Sequence, residues 1–325
     1  MQLAWGYIPP LLIEAAIRHR VFDVLDGGPK AVREVHAETG ASERGLRAIM
    51  NALVGLNLLA KDGQGRYSLT PESAAFLVAT KPGFQGGIIR HSSQHLVPKW
   101  LHLTEIVKTG KPMQAVNQED TGSEFFQNFV NDIFPMSYGP AQKLAQHLNL
   151  KGVAKPVRVL DLAAGSGVWG IALAQSSDQV RITAVDWPGV LPVTRKTVAR
   201  FGLTDRFSFI EGDLLKADFG SNYNVATLGL ILHSEGEERS RKLLSKTFRA
   251  LDSGGTIAIA EFLVNPERTG PPNGLFFAVN MLVNTDHGDT YSFEEISGWL
   301  KEAGFTNART LESPGPSPLI LATKP

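Results

Sequence analysis

No cysteine occurs among the 325 residues. Disulfides, thiolate nucleophiles and zinc–thiolate sites are thereby excluded, and the composition suits a cytoplasmic protein. Net charge is missing too: 32 basic and 32 acidic side chains cancel, so no global field draws the chain to nucleic acid or to an anionic membrane. No apolar run approaches the ~18 residues that a bilayer-spanning helix needs. The opening stretch MQLAWGYIPPLLIEAAIRHR lacks a basic start and carries Glu14 within its apolar part, so no secretory signal is expected. There is no internal repeat and no low-complexity tract. What is present is ordinary for a globular chain, 43% hydrophobic and 20% charged, at a length that favours two domains over one. These absences leave a small-molecule enzyme as the expectation.

Three stretches of different pattern follow one another. Residues 1–85 read as short helices and a hairpin. PPLLIEAAIRHRVFDVL puts Leu12, Ala16 and Ile17 at helical spacing, and SERGLRAIMNALVGLNLL starts on a Ser42 cap. In LLAKDGQGRYSLT two short strands flank Asp62-Gly63-Gln64-Gly65, a hairpin signal. Helix, turn, helix and hairpin together describe a winged helix. Residues 86–150 read as helical connectors rich in aromatics, among them Trp100, Phe125, Phe126, Phe129, Phe134 and Tyr138. Over 151–325 strands alternate with helices: VRVLDL, RITAVDW, FSFIEGD, YNVATLGLIL and GTIAIAEFL are separated by stretches such as VLPVTRKTVARFG and EERSRKLLSKTFRAL. The alternation predicts an α/β domain, a doubly wound and mostly parallel sheet with helices on both faces. Its end differs. SFEEISGWLKEAGF, then TNARTLE, a Pro/Gly-rich turn and PLILATKP predict an antiparallel C-terminal hairpin.

The segment VLDLAAGSGVWGIALAQ, residues 159–175, satisfies GxGxxG through Gly165, Gly167 and Gly170, the pattern of a dinucleotide-binding turn. Asp161, however, stands four residues before the first of these glycines. A pyrophosphate seated on this turn and on the following helix N-terminus would be repelled by that carboxylate. S-adenosylmethionine carries no phosphate; its ammonium would be drawn to Asp161, directly or through water, while the glycines let the backbone approach. Asp186 ends the second strand, where a carboxylate holds ribose hydroxyls. Asp213 in EGDLL follows the third strand, placed to accept from an adenine amino group. Alone, Asp161 or Asp213 would more often cap a helix or turn. Three acids in register with the strand ends favour the sulfonium cofactor over NAD.

With these pieces in this order the chain resembles the class I S-adenosylmethionine-dependent methyltransferases, and within them the small-molecule O-methyltransferases of the plant caffeate and hydroxyindole type. The resemblance runs through nearly the whole chain: the winged-helix region, WLHLTEIVKTGKP, DLAAGSG, VDWP, GDLL, LILH, AIAEFL and EISGWLKEAGF. It implies a dimerisation domain over 1–85, a connector over 86–150 that contributes to the substrate pocket, and a cofactor-binding domain over 151–325. It implies cofactor contacts from Asp161, Gly165, Gly167, Asp186, Trp187, Asp213 and Leu214. It also implies a catalytic His233 whose imidazole Glu261 holds, and Phe126 and Met136 at the acceptor pocket. A second glutamate that the plant enzymes bring to the histidine aligns with Thr290; the adjacent Asp289 substitutes for it if the loop DHGDTYSFEE shifts by one residue. Their lysine four positions before the histidine is Gly229 here.

Read from the residues alone, His233 ends the fourth strand, beside the first, where ligands of a doubly wound sheet collect. A phenol, of pKa about 10, must lose its proton to attack a sulfonium methyl, and a histidine can take it at neutral pH. The competing reading makes His233 the residue before a helix, since Ser234 and Glu237 form a capping-box pattern. His91, His95 and His102 fall on one helical face, but no acid or cysteine accompanies them, so a pocket wall or solvated face outweighs a metal site and no metal is expected. A ligand-sensing DNA-binding regulator is the other class that a winged helix raises. Residues 1–85 carry nine basic and eight acidic side chains, however, and Arg44 and Arg47 sit among Leu46, Ile49, Leu53 and Leu56. That surface suits protein, not phosphates. The sequence thus reads as a homodimeric enzyme that moves methyl from S-adenosylmethionine to a hydroxyl of an aromatic or polyketide-like small molecule. Carbon or nitrogen methylation, or a non-methylating reaction on the same scaffold, is the alternative among enzymes.

Overall fold

The computed structural model describes residues 3–325, which divide between Leu101 and His102 into two compact units. The division falls inside the stretch 86–150. In the first unit, helices α1 (Ile8–Arg18), α2 (Val21–Leu25), α3 (Val32–Thr39) and α4 (Glu43–Gly55) precede the hairpin of β1 (Leu59–Lys61) and β2 (Tyr67–Leu69). Helices α5 (Pro71–Phe76), α6 (Gly86–His91) and α7 (Val97–Trp100) follow, with a π-helical turn over Ser92–Leu96 joining the last two. The Ser42 hydroxyl accepts from Gly45 N (3.1 Å), satisfying one of the orphan donors at the start of α4. From there Leu46, Met50 and Leu53 recur at helical spacing and are buried against Ala16, Phe22, Val35 and Tyr67. At the hairpin tip Asp62 Oδ1 accepts from Gln64 N and Arg66 N, each at 2.9 Å, which closes the turn.

The second unit begins with α8 (Leu103–Thr109), α9 (Glu119–Asp132) and α10 (Phe134–Leu148). Strands β3 (Val157–Leu162), β4 (Val180–Asp186), β5 (Phe207–Glu211), β6 (Tyr223–Gly229) and β7 (Leu251–Ala260) then alternate with α11 (Val168–Ser176), α12 (Leu191–Arg200) and α13 (Leu232–Ala250). After the short β8 (Leu263–Val264), α14 (Pro272–Asn284), β9 (Tyr291–Ser292) and α15 (Phe293–Ala303), the chain closes with β10 (Thr306–Leu311) and β11 (Leu319–Thr323). The sheet order is β10-β11-β7-β6-β3-β4-β5, parallel from β7 to β5, with β11 antiparallel to β7 and β10 antiparallel to β11. This is the doubly wound, mostly parallel sheet with the antiparallel C-terminal hairpin that the alternation predicts.

The central strands are covered on both faces, so they read as nearly continuous apolar runs. Leu160 and Leu162 of β3 join Leu228, Ile257 and Ile259 beneath Leu243, Leu244 and Trp299. Val159, on the other face, packs with Ile171, Leu173, Ile182 and Leu321, and with Ala141 and Leu144 of α10. By alternation Asp161 shares that second face with Val159. A carboxylate is thereby carried into the layer between the sheet and α11. Among the described residues no helix is long and apolar enough to cross a membrane.

Candidate active site

The turn after β3 runs through left-handed backbone at Ala163 (φ 51°), Gly165 (φ 55°) and Gly167 (φ 78°). Gly167 is the N-cap of α11 and reaches this conformation freely, whereas Ala163 bears a steric cost of about 1–2 kcal/mol. Strain of this kind gathers at binding sites. Asp161 is fully buried below the turn. Its Oδ2 accepts from Gly170 N (3.0 Å) and its Oδ1 from the Thr227 hydroxyl (2.7 Å). Burial pushes its pKa up to about 7 against the pull of those two bonds, and the charge of Asp186 adds to the rise. Both oxygens therefore serve the protein and tie α11 to β3 and β6. For a ligand the consequence is direct: an N–H at the start of α11 that would meet a phosphate is already capped by a carboxylate. The donor set does not fit a pyrophosphate; it fits a phosphate-free, cationic group such as S-adenosylmethionine.

Asp186 stands half-buried at the end of β4. Its Oδ2 accepts from Gly165 N and its Oδ1 from Trp187 N, each at 2.8 Å. It pins the glycine turn, and burial pushes its pKa up to about 6. Beyond β5, Asp213 Oδ1 accepts from Leu215 N (2.9 Å) and Oδ2 from Arg239 (2.7 Å), whose Nε donates to Glu235 (2.6 Å). Burial works to raise the Asp213 pKa, but the hydrogen bond and charge of Arg239 prevail and hold it below the ordinary carboxylate range. The buried Leu214 offers its carbonyl to Lys246 Nζ (2.8 Å). Arg239, within the helical stretch EERSRKLLSKTFRAL, and the buried Glu235 just before it carry no sequence signal of this pairing.

The environment of His233 corrects its sequence reading. Strand β6 stops at Gly229, Leu230 turns left-handed (φ 61°), and α13 begins at Leu232 with one short turn that breaks at Gly236 (φ 76°) before the long part of the helix. His233 thus lies in the first helical turn and does not end the strand. Nor does Ser234 cap this helix, since its hydroxyl donates to Ile231 O (3.1 Å). The cap is Glu261, one residue beyond β7. Its Oε1 accepts from Leu232 N (2.6 Å) and His233 N (3.3 Å), and its Oε2 lies 2.6 Å from His233 Nδ1. One carboxylate both closes the helix start and orients the imidazole, which leaves Nε2 without a hydrogen-bond partner among the described residues. Phe277 meets the ring edge to face at 4.8 Å, and Phe262 stacks on Phe277 at 3.9 Å.

Asp289 reaches His233 through the backbone, its N–H donating to His233 O (2.9 Å). Its exposed carboxylate accepts from Thr290 N (2.7 Å) and makes no hydrogen bond to the imidazole. Thr290 is buried, its hydroxyl donating to Gly274 O (3.3 Å). Phe126 on α9 meets Trp187 edge on at 5.8 Å. Met136 on α10 lines a cavity with Ser137, Trp169, Leu230 and Glu261. The structure thus brings Asp186 together with Gly165 and Trp187, Phe126 with Trp187, Met136 with Glu261, and Glu261 with His233. It sets Asp213 apart, on Arg239.

Residues 100–306 match the O-methyltransferase domain family, and residues 1–79 match the O-methyltransferase dimerisation domain. The 3-hydroxy-5-methyl-1-naphthoate 3-O-methyltransferase of Streptomyces sahachiroi is 30% identical over 328 residues, covering 99% of this chain and 94% of that protein. The tetracenomycin polyketide synthesis 8-O-methyl transferase TcmO of Streptomyces glaucescens is 28% identical over 329 residues, covering 100% and 96%. A candidate O-methyltransferase from Nostoc punctiforme has a solved structure of TM-score 0.88 to this one, at 29% identity, covering 99% of this chain and 98% of that chain. The chain belongs to the S-adenosylmethionine-dependent O-methyltransferases.

Proposed function

We propose that the chain acts as a cytoplasmic homodimer that methylates a hydroxyl group of an aromatic or polyketide-like small molecule, with His233 as the general base. The observation that carries this reading is the buried His233–Glu261 pair, 2.6 Å apart with Nε2 left over, at the carboxyl end of the sheet. S-adenosylmethionine, when bound, supplies an electrophilic methyl group. Asp186 would hold its ribose hydroxyls through the remaining lone pairs of its carboxylate. Asp213 and the backbone at Leu214 would meet the adenine, with Trp187 alongside, while Gly165 and Gly167 admit close approach. Asp161 would act from below, fixing the turn and lending negative charge under the ammonium.

At the acceptor, His233 Nε2 takes the proton of the attacking hydroxyl. Glu261 keeps Nδ1–H turned to itself and stabilises the imidazolium that forms. Asp289 would supply a second acid at the rim, and Phe126 and Met136 would bound the acceptor ring. The hydroxylated naphthoate and the tetracenomycin polyketide in the names of two relatives support the acceptor class. Incubation with hydroxylated naphthalenes and larger polycyclic phenols, in the presence of methyl-labelled cofactor, should yield labelled methyl ethers. Absence of transfer across that panel would count against the reading.

Exposed apolar side chains at the start of the chain, Leu3 at 99%, Trp5 at 61% and Tyr7 at 58%, support dimerisation through residues 1–85, as does the matching dimerisation family. Obligate interfaces of this kind often bury over ~2,000 Å². Light scattering should therefore return twice the 35.2 kDa chain mass, and deletion of residues 1–85 should leave an aggregating protein. A soluble, active, monomeric truncation would contradict the dimer.

A further inference from the structure

The cavity that Met136 shares with Glu261 opens to solvent and is lined also by Ser137, Trp169, Leu230 and Ser317. It sits on the carboxyl ends of β6 and β7, where ligands of such sheets bind. Its polar groups fall into two sets. Glu261 is fully engaged by Leu232 N, His233 N and His233 Nδ1, and Ser317 Oγ already accepts from Leu263 N (2.9 Å). The indole N–H of Trp169 and the hydroxyl of Ser137, by contrast, make no hydrogen bond among the described residues, and neither atom is among the fully buried ones left without a partner. Both residues are nearly buried, at 4% and 5% exposure. Both donors are therefore open to solvent or to a ligand that takes its place.

The indole is seated there by a gap in the neighbouring strand. A Cβ on Gly229, the last residue of β6, would lie 1.9 Å from Trp169 Nε1 and 2.5 Å from Cδ1. Only glycine at that position leaves room for the ring. An indole N–H donates and never accepts, and a serine hydroxyl can donate beside it. The group that satisfies two donors is an oxygen bearing only lone pairs. Because Glu261 lines the cavity and no lysine or arginine does, a carboxylate would be repelled; a neutral carbonyl would not.

We propose that Trp169 and Ser137 are specificity-determining residues that hold a neutral carbonyl oxygen of the aromatic acceptor, so that the enzyme selects hydroxyaryl ketones or quinones over acceptors lacking that oxygen. This rests on the proposed methylation and on this cavity, whose lining includes Glu261, receiving part of the acceptor. The test is binding without cofactor, by calorimetry, so that failure of methyl transfer and failure of carbonyl recognition remain separate results. The probes are positional isomers of acetyl-substituted hydroxynaphthalene, each paired with the same ring carrying an ethyl group in place of acetyl. At least one acetyl isomer should bind the wild-type protein roughly five- to fiftyfold more tightly than its ethyl partner, the range of one or two hydrogen bonds. In Trp169→Phe, which keeps the ring and loses the N–H, that preference should fall close to one while ethyl binding is retained.

Ser137→Ala should remove part of the preference. Should Trp169→Phe fail to fold, wild-type protein with nitrogen-labelled indoles serves instead: the preferred acetyl compound should move one indole N–H resonance downfield, and its ethyl partner should not. An equal affinity for every acetyl and ethyl pair overturns the proposal. So does a preference that survives Trp169→Phe intact, or an indole spectrum that does not distinguish the two probes.

Discussion

His233→Ala should lower turnover by roughly 10²–10⁴, the usual span for loss of a general base, while cofactor affinity stays nearly unchanged. On the proposed reading the imidazole serves the acceptor: its Nδ1 is held by Glu261 and its ring packs against Phe262 and Phe277. The loss should shrink for acceptors of lower pKa, which need less help in shedding the proton. A residue that merely walls the pocket would instead hurt all acceptors of one shape alike. Glu261→Gln should cost less in turnover, because it orients the ring without taking the proton. It should cost stability as well, since the same carboxylate accepts from two N–H groups at the start of α13. Steady-state kinetics on a phenol series of graded acidity, with calorimetric cofactor titrations, measures all of this. Full activity in His233→Ala would point to a carbon or nitrogen acceptor.

Asp186→Ala should weaken cofactor binding by about 1.5–3 kcal/mol, the scale of hydrogen bonds to a charged group, which is roughly a ten- to 150-fold rise in Kd. The glycine turn also loses the anchor it takes at Gly165 N, so the effect should lie toward the upper end. The pH dependence has a definite sign. Asp186 in the unliganded fold titrates near 6, above its ordinary value, because burial disfavours the charge. Its contribution to the stability of the unliganded protein is therefore full below about pH 4 and lost as pH rises through about 6. Cofactor binding runs the other way, because the ionised carboxylate is the better partner for ribose hydroxyls. Affinity should fall as pH drops through 6, and this fall should be smaller in Asp186→Ala, where Asp161, with a pKa of about 7, still titrates in that range. Titrations at pH 5 and pH 7.5 separate the two; a pH-independent wild-type affinity would remove Asp186 from the cofactor site.

Much of the frame was legible because local chemistry decides it. Ser42 announces α4, Asp62 and the glycines around it announce the hairpin, and near-continuous apolar runs announce buried parallel strands. What the sequence could not tell is what faces what across the sheet. Asp161 and Thr227 lie 66 residues apart and meet only because β3 and β6 pair with Asp161 opposite Thr227. A strand-end acid that reads as a ligand contact is thus also a strut under the turn. His233 reads as a strand end because YNVATLGLIL is apolar but for Asn224 and Thr227; the left-handed Leu230 ends the strand early, and nothing in a leucine signals that conformation. Arg239, Glu235 and Trp169 escape for a related reason. Glu235 and Arg239 become a pair only through helical geometry and Asp213, and Trp169 finds its seat only because Gly229 of a distant strand has no side chain.

The most direct test of the whole account is the position of the transferred methyl. The protein is incubated with S-adenosylmethionine carrying a ¹³C-methyl group and with the hydroxylated polycyclic aromatic that turns over fastest, and the product is read by carbon NMR. The account predicts a single labelled methyl on a former hydroxyl oxygen, formed with wild-type protein and nearly lost with His233→Ala. A label on carbon or nitrogen, or equal O-methylation by both proteins, would contradict it.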